Sequence, residues 1–276
     1  MTTPKPYSTE PAVRTMGLTK DFNGVLAVDH IDLNVDRGVF YGFLGPNGAG
    51  KSTTIKMMTG LLAPASGKIE ILGIDMETDP VAVKREIGVV PEDMALFDRL
   101  TGMEYLTFVA QLYSLPRGVA AKRAAELLEF MDLADSRKKL IVDYSHGMKK
   151  KVSLAAALIH TPKVLFLDEP FEGVDAIAAK TMKNTLESMI ERGATVFLTS
   201  HVLDIVERLC SHVGIINRGQ LVAQGSLDEL RSGIQMSHGL EGSAPPARPM
   251  TLEEIFVDIV GGARTAPEQT LTWLTE

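Results

Sequence analysis

Gly45-Pro46-Asn47-Gly48-Ala49-Gly50-Lys51-Ser52 follows directly on a short apolar run ending at Leu44 and opens a helical pattern. Strand, glycine-rich turn and helix in that order make a cradle for phosphate. Consecutive backbone N–H groups must converge on anionic oxygens there. A Cβ at the wrong position would block either the required dihedral angles or the approach of the phosphate. Lys51 supplies a point charge toward the terminal phosphates, Ser52 a hydroxyl for a magnesium ion, and the helix N-terminus a favourable field. The expected nucleotide contacts here are Gly45, Pro46, Asn47, Gly48, Ala49, Gly50, Lys51, Ser52 and Thr53.

Working outward, residues 13–22, 26–35 and 39–44 are short segments rich in β-branched or aromatic side chains and read as strands. Asn23-Gly24 and Arg37-Gly38 provide the turns between them, giving a small β-layer ahead of the loop. Residues 1–11 alternate polar residues and prolines and read as a flexible leader without a secretory signal. Past the loop, residues 51–62 are helical and 68–72 and 87–90 return to strand. Two helical stretches follow at 103–115 and 120–133, with Pro116-Arg117-Gly118 as the break, inside a helical insertion spanning about 98–160.

Strand and helix then alternate. Residues 164–167 form a continuous apolar run of the kind found in buried parallel strands. Residues 176–192 are helical, with Ala178, Met182, Leu186 and Met189 on one face and Gly193 as the stop; 195–199 are again strand. The fold class is therefore α/β. Val164-Leu165-Phe166-Leu167-Asp168-Glu169-Pro170 delivers two adjacent carboxylates to a strand end. With Asp168 directed at the loop's ion, Glu169 is left to face the γ-phosphate and polarise an attacking water. His201, in Thr199-Ser200-His201, also sits just past a strand, where open α/β sheets bind ligands. No role is assigned to His30, His160, His212 or His238.

Composition bounds the alternatives. With 45% apolar and 23% charged residues the chain has the makings of a packed core. The 28 Lys and Arg against 35 Asp and Glu give a net charge of -7, which argues against a broad nucleic-acid footprint. A single cysteine, Cys210, rules out a disulfide framework or multi-cysteine zinc site and reads as a small core hydrophobe; the 13 methionines read as core filler. No run approaches 18 apolar residues, so no membrane span is expected. Residues 12–232 are expected to form one catalytic domain, 233–250 a linker rich in Gly, Ser and Pro, and 251–276 a C-terminal helix and tail. Thr251 and Glu254 stand in capping-box spacing ahead of an apolar stripe of Leu252, Ile255, Phe256, Ile259 and Val260.

Taken together these residues resemble the ATP-binding cassette family, the ATPase subunits of ABC transporters, over roughly residues 13–232. Ser145-His146-Gly147-Met148 begins 23 residues before Asp168, where that family keeps its LSGGQ signature, and Gly173-Val174-Asp175 matches its D-loop. The resemblance implies a P-loop fold with a mostly parallel core sheet, an N-terminal antiparallel β-subdomain and an inserted helical subdomain. It also implies ATP and Mg2+ as cofactors. His201 corresponds to the switch histidine, Phe22 to the ring that stacks on adenine (core packing being the alternative), and Asp175, Ser145 and Gly147 to further nucleotide contacts. The metal ligands implied are Ser52, Asp168 and Glu92, and the catalytic group Glu169, His201 and Lys51.

The sequence departs from the family pattern in three places: Glu92 stands for the usual glutamine, His146 for the first signature glycine and Met148 for its glutamine. Glu92 adds negative charge near the phosphates; His146 reads as a solvent-facing substitution, the alternative being that beside a partner's phosphate it would make closure sensitive to pH. The forms Pro91-Glu92-Asp93, the signature segment and Leu252-Glu253-Glu254-Ile255-Phe256 resemble the ABC-2 or drug-exporter branch. Lys149, Lys150 and Lys151 read as a solvated helix face.

In the resembled family the signature serine caps ATP held by a second subunit, because one phosphate loop covers only part of a γ-phosphate. The implied partners are a second ATPase subunit, most simply in a homodimer, and an integral membrane permease that would hold this subunit at the inner, cytoplasmic face of the cell membrane. Export of a small molecule, drug or lipid-like substrate is the expected work. Two alternatives are a soluble ATPase acting on ribosomes or DNA and a non-hydrolysing regulator. The separation of 94 positions from Lys51 to Ser145 leaves no room for the long coiled coils of the DNA-repair members.

Overall fold

The computed structural model describes residues 10–237 and 250–261. Most of the expected leader, residues 238–249 of the expected linker and residues 262–276 of the tail lie outside the described residues. Alternating polar and apolar side chains build β1 (Val13–Phe22) and β2 (Val25–Val35), which pair antiparallel through the turn at Asn23-Gly24. β3 (Phe40–Leu44) is buried along its whole length and leads into α1 (Lys51–Met58). β4 (Ser66–Ile71) and β5 (Ile74–Asp75) complete a four-stranded antiparallel sheet in the order β2-β1-β4-β5.

Asp79, whose carboxylate accepts from the Ala82 N–H at 3.0 Å, starts α2 (Pro80–Glu86). Proline at the first helical position loses no intrahelical bond, so this short helix follows from local chemistry although it lacks a clear apolar period. β6 (Ile87–Val90) comes next. The helical insertion contributes α3 (Gly102–Leu112), α4 (Arg117–Phe130) and α5 (His146–Leu158). Thr101 and Glu104 cap α3 reciprocally. The break between α3 and α4 ends earlier than expected, because Pro116 occupies the N-cap and Arg117 and Gly118 already belong to the first turn.

The remaining elements are β7 (Val164–Asp168), α6 (Ala176–Glu191), β8 (Thr195–Ser200), α7 (Leu203–Leu209), β9 (His212–Asn217), β10 (Gln220–Ser226), α8 (Leu227–Ser237) and α9 (Leu252–Gly261). The core sheet has the order β10-β9-β3-β8-β7-β6, parallel throughout except for β10 at its edge. Side chains of β7 alternate between two cores: Leu165 and Leu167 face the helices, Val164 and Phe166 the antiparallel sheet. Phe197 anchors the second core, in contact with Tyr41, Phe43 and Phe166. Cys210 is buried as expected, and burial pushes its thiol pKa up.

The helix α8 continues to Ser237 and so runs into the segment read as linker. Beyond it, α9 returns to its own chain and packs against α7 and α8. Leu252 and Ile255 are fully buried there, a burial worth about 1.5–3 kcal/mol each. Arg231 fixes the approach, donating to the Met250 carbonyl at 3.0 Å and pairing with Glu207 at 2.8 Å. No helix of the described residues is long and apolar enough to cross a membrane.

Candidate active site

The parallel strands β3, β7 and β8 end side by side, and their carboxyl ends carry the loop, the two carboxylates and His201. Gly50, with φ of 110°, turns the chain into α1. A Cβ there would lie 2.5 Å from the Ala27 carbonyl oxygen, and one on Gly45 2.4 Å from that of Ile216. The first-turn N–H groups of α1, like those of any helix, lack intrahelical acceptors and point out of the helix end, and no capping side chain accepts from them. That is the arrangement an anion needs.

Lys51 is buried and donates to the carbonyl of Gly45 at 2.8 Å. Its ammonium also lies 3.7 Å from Glu169 Oε1. The Ser52 hydroxyl reaches Asp168 Oδ1 at 3.2 Å and Glu92 Oε2 at 3.4 Å. One hydroxyl and two carboxylates form an oxygen donor set suited to a hard cation. Among the described residues no cluster of three or more His, Cys, Asp or Glu forms a metal cage. A magnesium ion held partly by substrate phosphates needs none. The other oxygen of Glu169 lies 3.1 Å from His201 Nδ1. Lys51, Ser52, Thr53, Glu92, Glu169 and His201 line one cavity of about 350 Å³, together with Asn47, Gly48, Gly50, Ala27 and Glu172.

Of the other expected site residues, Gly45, Pro46 and Ala49 belong to the same loop and Asp168 to the end of β7 without lining that cavity, and Ser145, Gly147 and Asp175 do not line it either. Ser145 caps α5, accepting from the Met148 N–H at 3.3 Å. Asp175 caps α6, and the N–H groups of Ala178 and Ile177 hold its carboxyl below the usual range. A Cβ on Gly147 would lie 3.2 Å from Asp175 Oδ2, so the signature and the D-loop segment touch within the chain. His146 Nε2 lies 3.3 Å from the Glu172 carbonyl and packs on Gly173. Phe22 is 47% exposed at the end of β1 with the Lys20 ammonium over its ring, which excludes the core-packing alternative; it does not line the cavity.

The reading of Lys149, Lys150 and Lys151 as a solvated face is corrected for Lys150 and Lys151, while Lys149 is half-buried beside Asp98 at 3.7 Å. Lys150 and Lys151 are 2% and 6% exposed, because α5 runs through the interior between the core sheet and the other inserted helices. Lys150 donates to the Glu169 carbonyl at 3.1 Å and Lys151 pairs with Asp132 at 3.8 Å. A sequence signal existed: Gly147, Lys150, Leu154 and Ala157 recur at helical spacing on the buried side. Thr199 carries no motif that marks it in the sequence. Its hydroxyl donates to Asp168 Oδ1 at 2.6 Å and accepts from the Glu169 N–H at 3.1 Å, joining β8 to both acids.

A family model described as ABC transporter matches residues 28–172. The daunorubicin/doxorubicin resistance ATP-binding protein DrrA of Streptomyces peucetius is 39% identical over 229 residues, covering 82% of this chain and 69% of that protein. The bacitracin transport ATP-binding protein BcrA of Bacillus licheniformis is 41% identical, covering 79% and 71% respectively. A solved ATP-binding subunit of an ABC transporter superposes with a TM-score of 0.79 at 30% identity, covering 90% of this chain and 99% of that one.

Proposed function

Because the chain belongs to the ABC transporter family, as an ATP-binding subunit whose ATP hydrolysis is coupled to transport, we propose that it drives export of a drug-like small molecule through a separate membrane permease. The observation that carries this reading is one cavity that gathers Lys51, Ser52, Glu92, Glu169 and His201 while Ser145 and Gly147 remain outside it.

In the proposed mechanism the loop from Gly45 to Thr53 holds the phosphates and Lys51 exchanges its contact with Glu169 for the terminal phosphates. Ser52, Asp168 and Glu92 would hold Mg2+, which supplies charge neutralisation on the phosphate oxygens. Glu169 accepts a hydrogen bond from the attacking water and polarises it, with His201 holding the carboxylate from the far side. Phe22 offers a face for the adenine ring.

The separation of Ser145, Gly147 and Asp175 from the cavity supports a site completed by a second copy, whose signature serine and N–H groups would close over the γ-phosphate. Hydrolysis then removes the contact holding the copies together, an order-and-release switch. Drug export is supported by the names of the two antibiotic-resistance and antibiotic-transport relatives. The subunit would act at the inner face of the cell membrane, held by the permease, with residues 12–232 as its catalytic domain and α9 docked on it.

Glu169→Gln tests the reading directly: turnover should vanish while ATP-dependent dimers persist, and turnover at the wild-type rate refutes the assignment of the base. Ser145→Arg should suppress hydrolysis yet spare nucleotide binding by monomers. Steady turnover by the purified protein excludes a non-hydrolysing regulator, and co-purification with an integral membrane protein distinguishes the transporter from a ribosome- or DNA-acting ATPase.

A further inference from the structure

Lys150 lies five residues past Ser145 on α5 and is 2% exposed. A buried ammonium is costly unless partnered. Its Nζ donates to the main-chain carbonyl of Glu169 at 3.1 Å, a carbonyl that also accepts from the Glu172 N–H at 3.3 Å. Burial lowers the pKa of Lys150, and the charges of Glu172, Glu92, Asp168 and Glu169 act in the opposite direction. Lys150 does not line the cavity.

Glu169 has a φ of 45°, in the left-handed region that a residue with a Cβ occupies only under constraint. Two side chains supply that constraint. The Thr199 hydroxyl accepts from the N–H of Glu169 and ties it to β8, while Lys150 ties its carbonyl to α5. The peptide units on both sides of the Glu169 Cα are thus held, one by the core sheet and one by the helix that begins at the signature.

We propose that Lys150 is a positioning residue: its tether from α5 fixes the backbone of Glu169, so that the position of the signature helix sets the aim of the carboxylate. This rests on the reading of Glu169 as the group that polarises water. A displacement of roughly 1 Å in a reacting group can cost on the order of 10²-fold in rate. A shift of that size in the Glu169 carboxylate would therefore be felt in turnover. The same ammonium offsets negative charge that Glu92 and Glu172 bring to the cavity wall.

The test compares wild type with Lys150→Met and Lys150→Gln as full-length proteins, measuring kcat, KM for ATP, binding of a fluorescent ATP analogue and Tm. K150M removes both donor and charge. Its kcat should fall by about tenfold or more, the scale of one hydrogen bond to a charged group, while KM and analogue binding change by less than about threefold. K150Q keeps a shorter donor without the charge and should fall between K150M and wild type. Wild-type kcat in K150M overturns the proposal, as does equal impairment of the two variants or a loss confined to KM. If K150M does not fold, K150Q decides alone: a lowered kcat at unchanged KM supports the tether, and wild-type kcat overturns it. Glu169→Gln in parallel separates the failures. Turnover in E169Q removes the role of Glu169 itself, whereas an inactive E169Q beside a fully active K150M removes only the tether.

Discussion

His201 grips one oxygen of Glu169 twice, through Nδ1 at 3.1 Å and through its main-chain N–H at 3.4 Å. The opposite oxygen faces Lys51. The carboxylate is thereby held between a cation from the loop after β3 and an imidazole from the end of β8. Removing the imidazole leaves the main-chain contact but frees the carboxylate to turn. His201→Ala is expected to lower kcat by about 10²-fold, the low end of what a positioned base contributes, with ATP affinity nearly unchanged. Steady-state hydrolysis and equilibrium binding of a fluorescent ATP analogue check this. A variant that loses binding in proportion to kcat would mean that His201 holds the nucleotide in both ground and transition states.

Glu92 places a second carboxylate 3.4 Å from the Ser52 hydroxyl, opposite Asp168. Without a divalent ion that charge opposes the phosphates directly. Glu92 is exposed, so water and salt screen much of the repulsion. Glu92→Gln should therefore tighten ATP binding in the presence of a chelator by only about threefold, an effect that shrinks as salt is raised. With Mg2+ at the proposed site the two proteins should converge, because the wild-type carboxylate would then have a cation to face. Binding titrations at two salt concentrations, with and without Mg2+, test the sign. Weaker binding by the variant in chelator would contradict the charge argument.

The motifs at strand ends were legible because their chemistry is local. Gly45 to Ser52 needs its glycines wherever it folds, and the run from Val164 to Leu167 is apolar because both faces of β7 are covered. Lys150 and Lys151 of α5 depart from their sequence reading for the converse reason. Residue type favours the surface, and only the tertiary path of the helix makes Lys150 a buried donor. Thr199 is not legible in the sequence because a hydroxyl between two acids acquires meaning only when β7 and β8 pair in register, with Asp168 beside Thr199. The helix α2 has too few turns to show a period, although Asp79-Pro80 marked its start. At α9 the apolar stripe announced docking, but not that α7 and α8 of the same chain receive it.

Tyr41 is buried in the core beneath the antiparallel sheet, and its ring stacks on Phe197 with centroids 5.4 Å apart. Its hydroxyl has no hydrogen-bond partner among the described residues, and burial pushes the phenol pKa upward. A buried unpaired hydroxyl costs about 1–3 kcal/mol. Tyr41→Phe keeps the stacked ring and removes the orphan, so the variant should be more stable than wild type by about 1 kcal/mol. Urea unfolding of both proteins at pH 7.5 measures it. Lower stability in the variant would show that the hydroxyl is satisfied in solution.

His160 stacks flat on Tyr113, with ring centroids 3.6 Å apart, and its Nε2 lies 2.9 Å from the Ile87 carbonyl. That contact requires a proton on Nε2, which leaves Nδ1 as the acceptor, and Nδ1 is buried without a partner among the described residues. Burial disfavours the cation and lowers the pKa below the ordinary 6.5. In the unfolded chain the ring takes up a proton near that ordinary value, whereas in the folded chain it does so only at lower pH. Below pH 6.5 the unfolded state therefore binds more protons, so stability rises with pH there and falls as the solution is acidified toward the folded-state value. Above about pH 7.5 both states are neutral and the effect is absent. Wild type should lose stability between pH 7.5 and 5 more steeply than His160→Gln. The carboxylates common to both proteins cancel in the comparison. Parallel stability curves for the two proteins would mean that the imidazole gains its second proton as readily in the fold as in the unfolded chain.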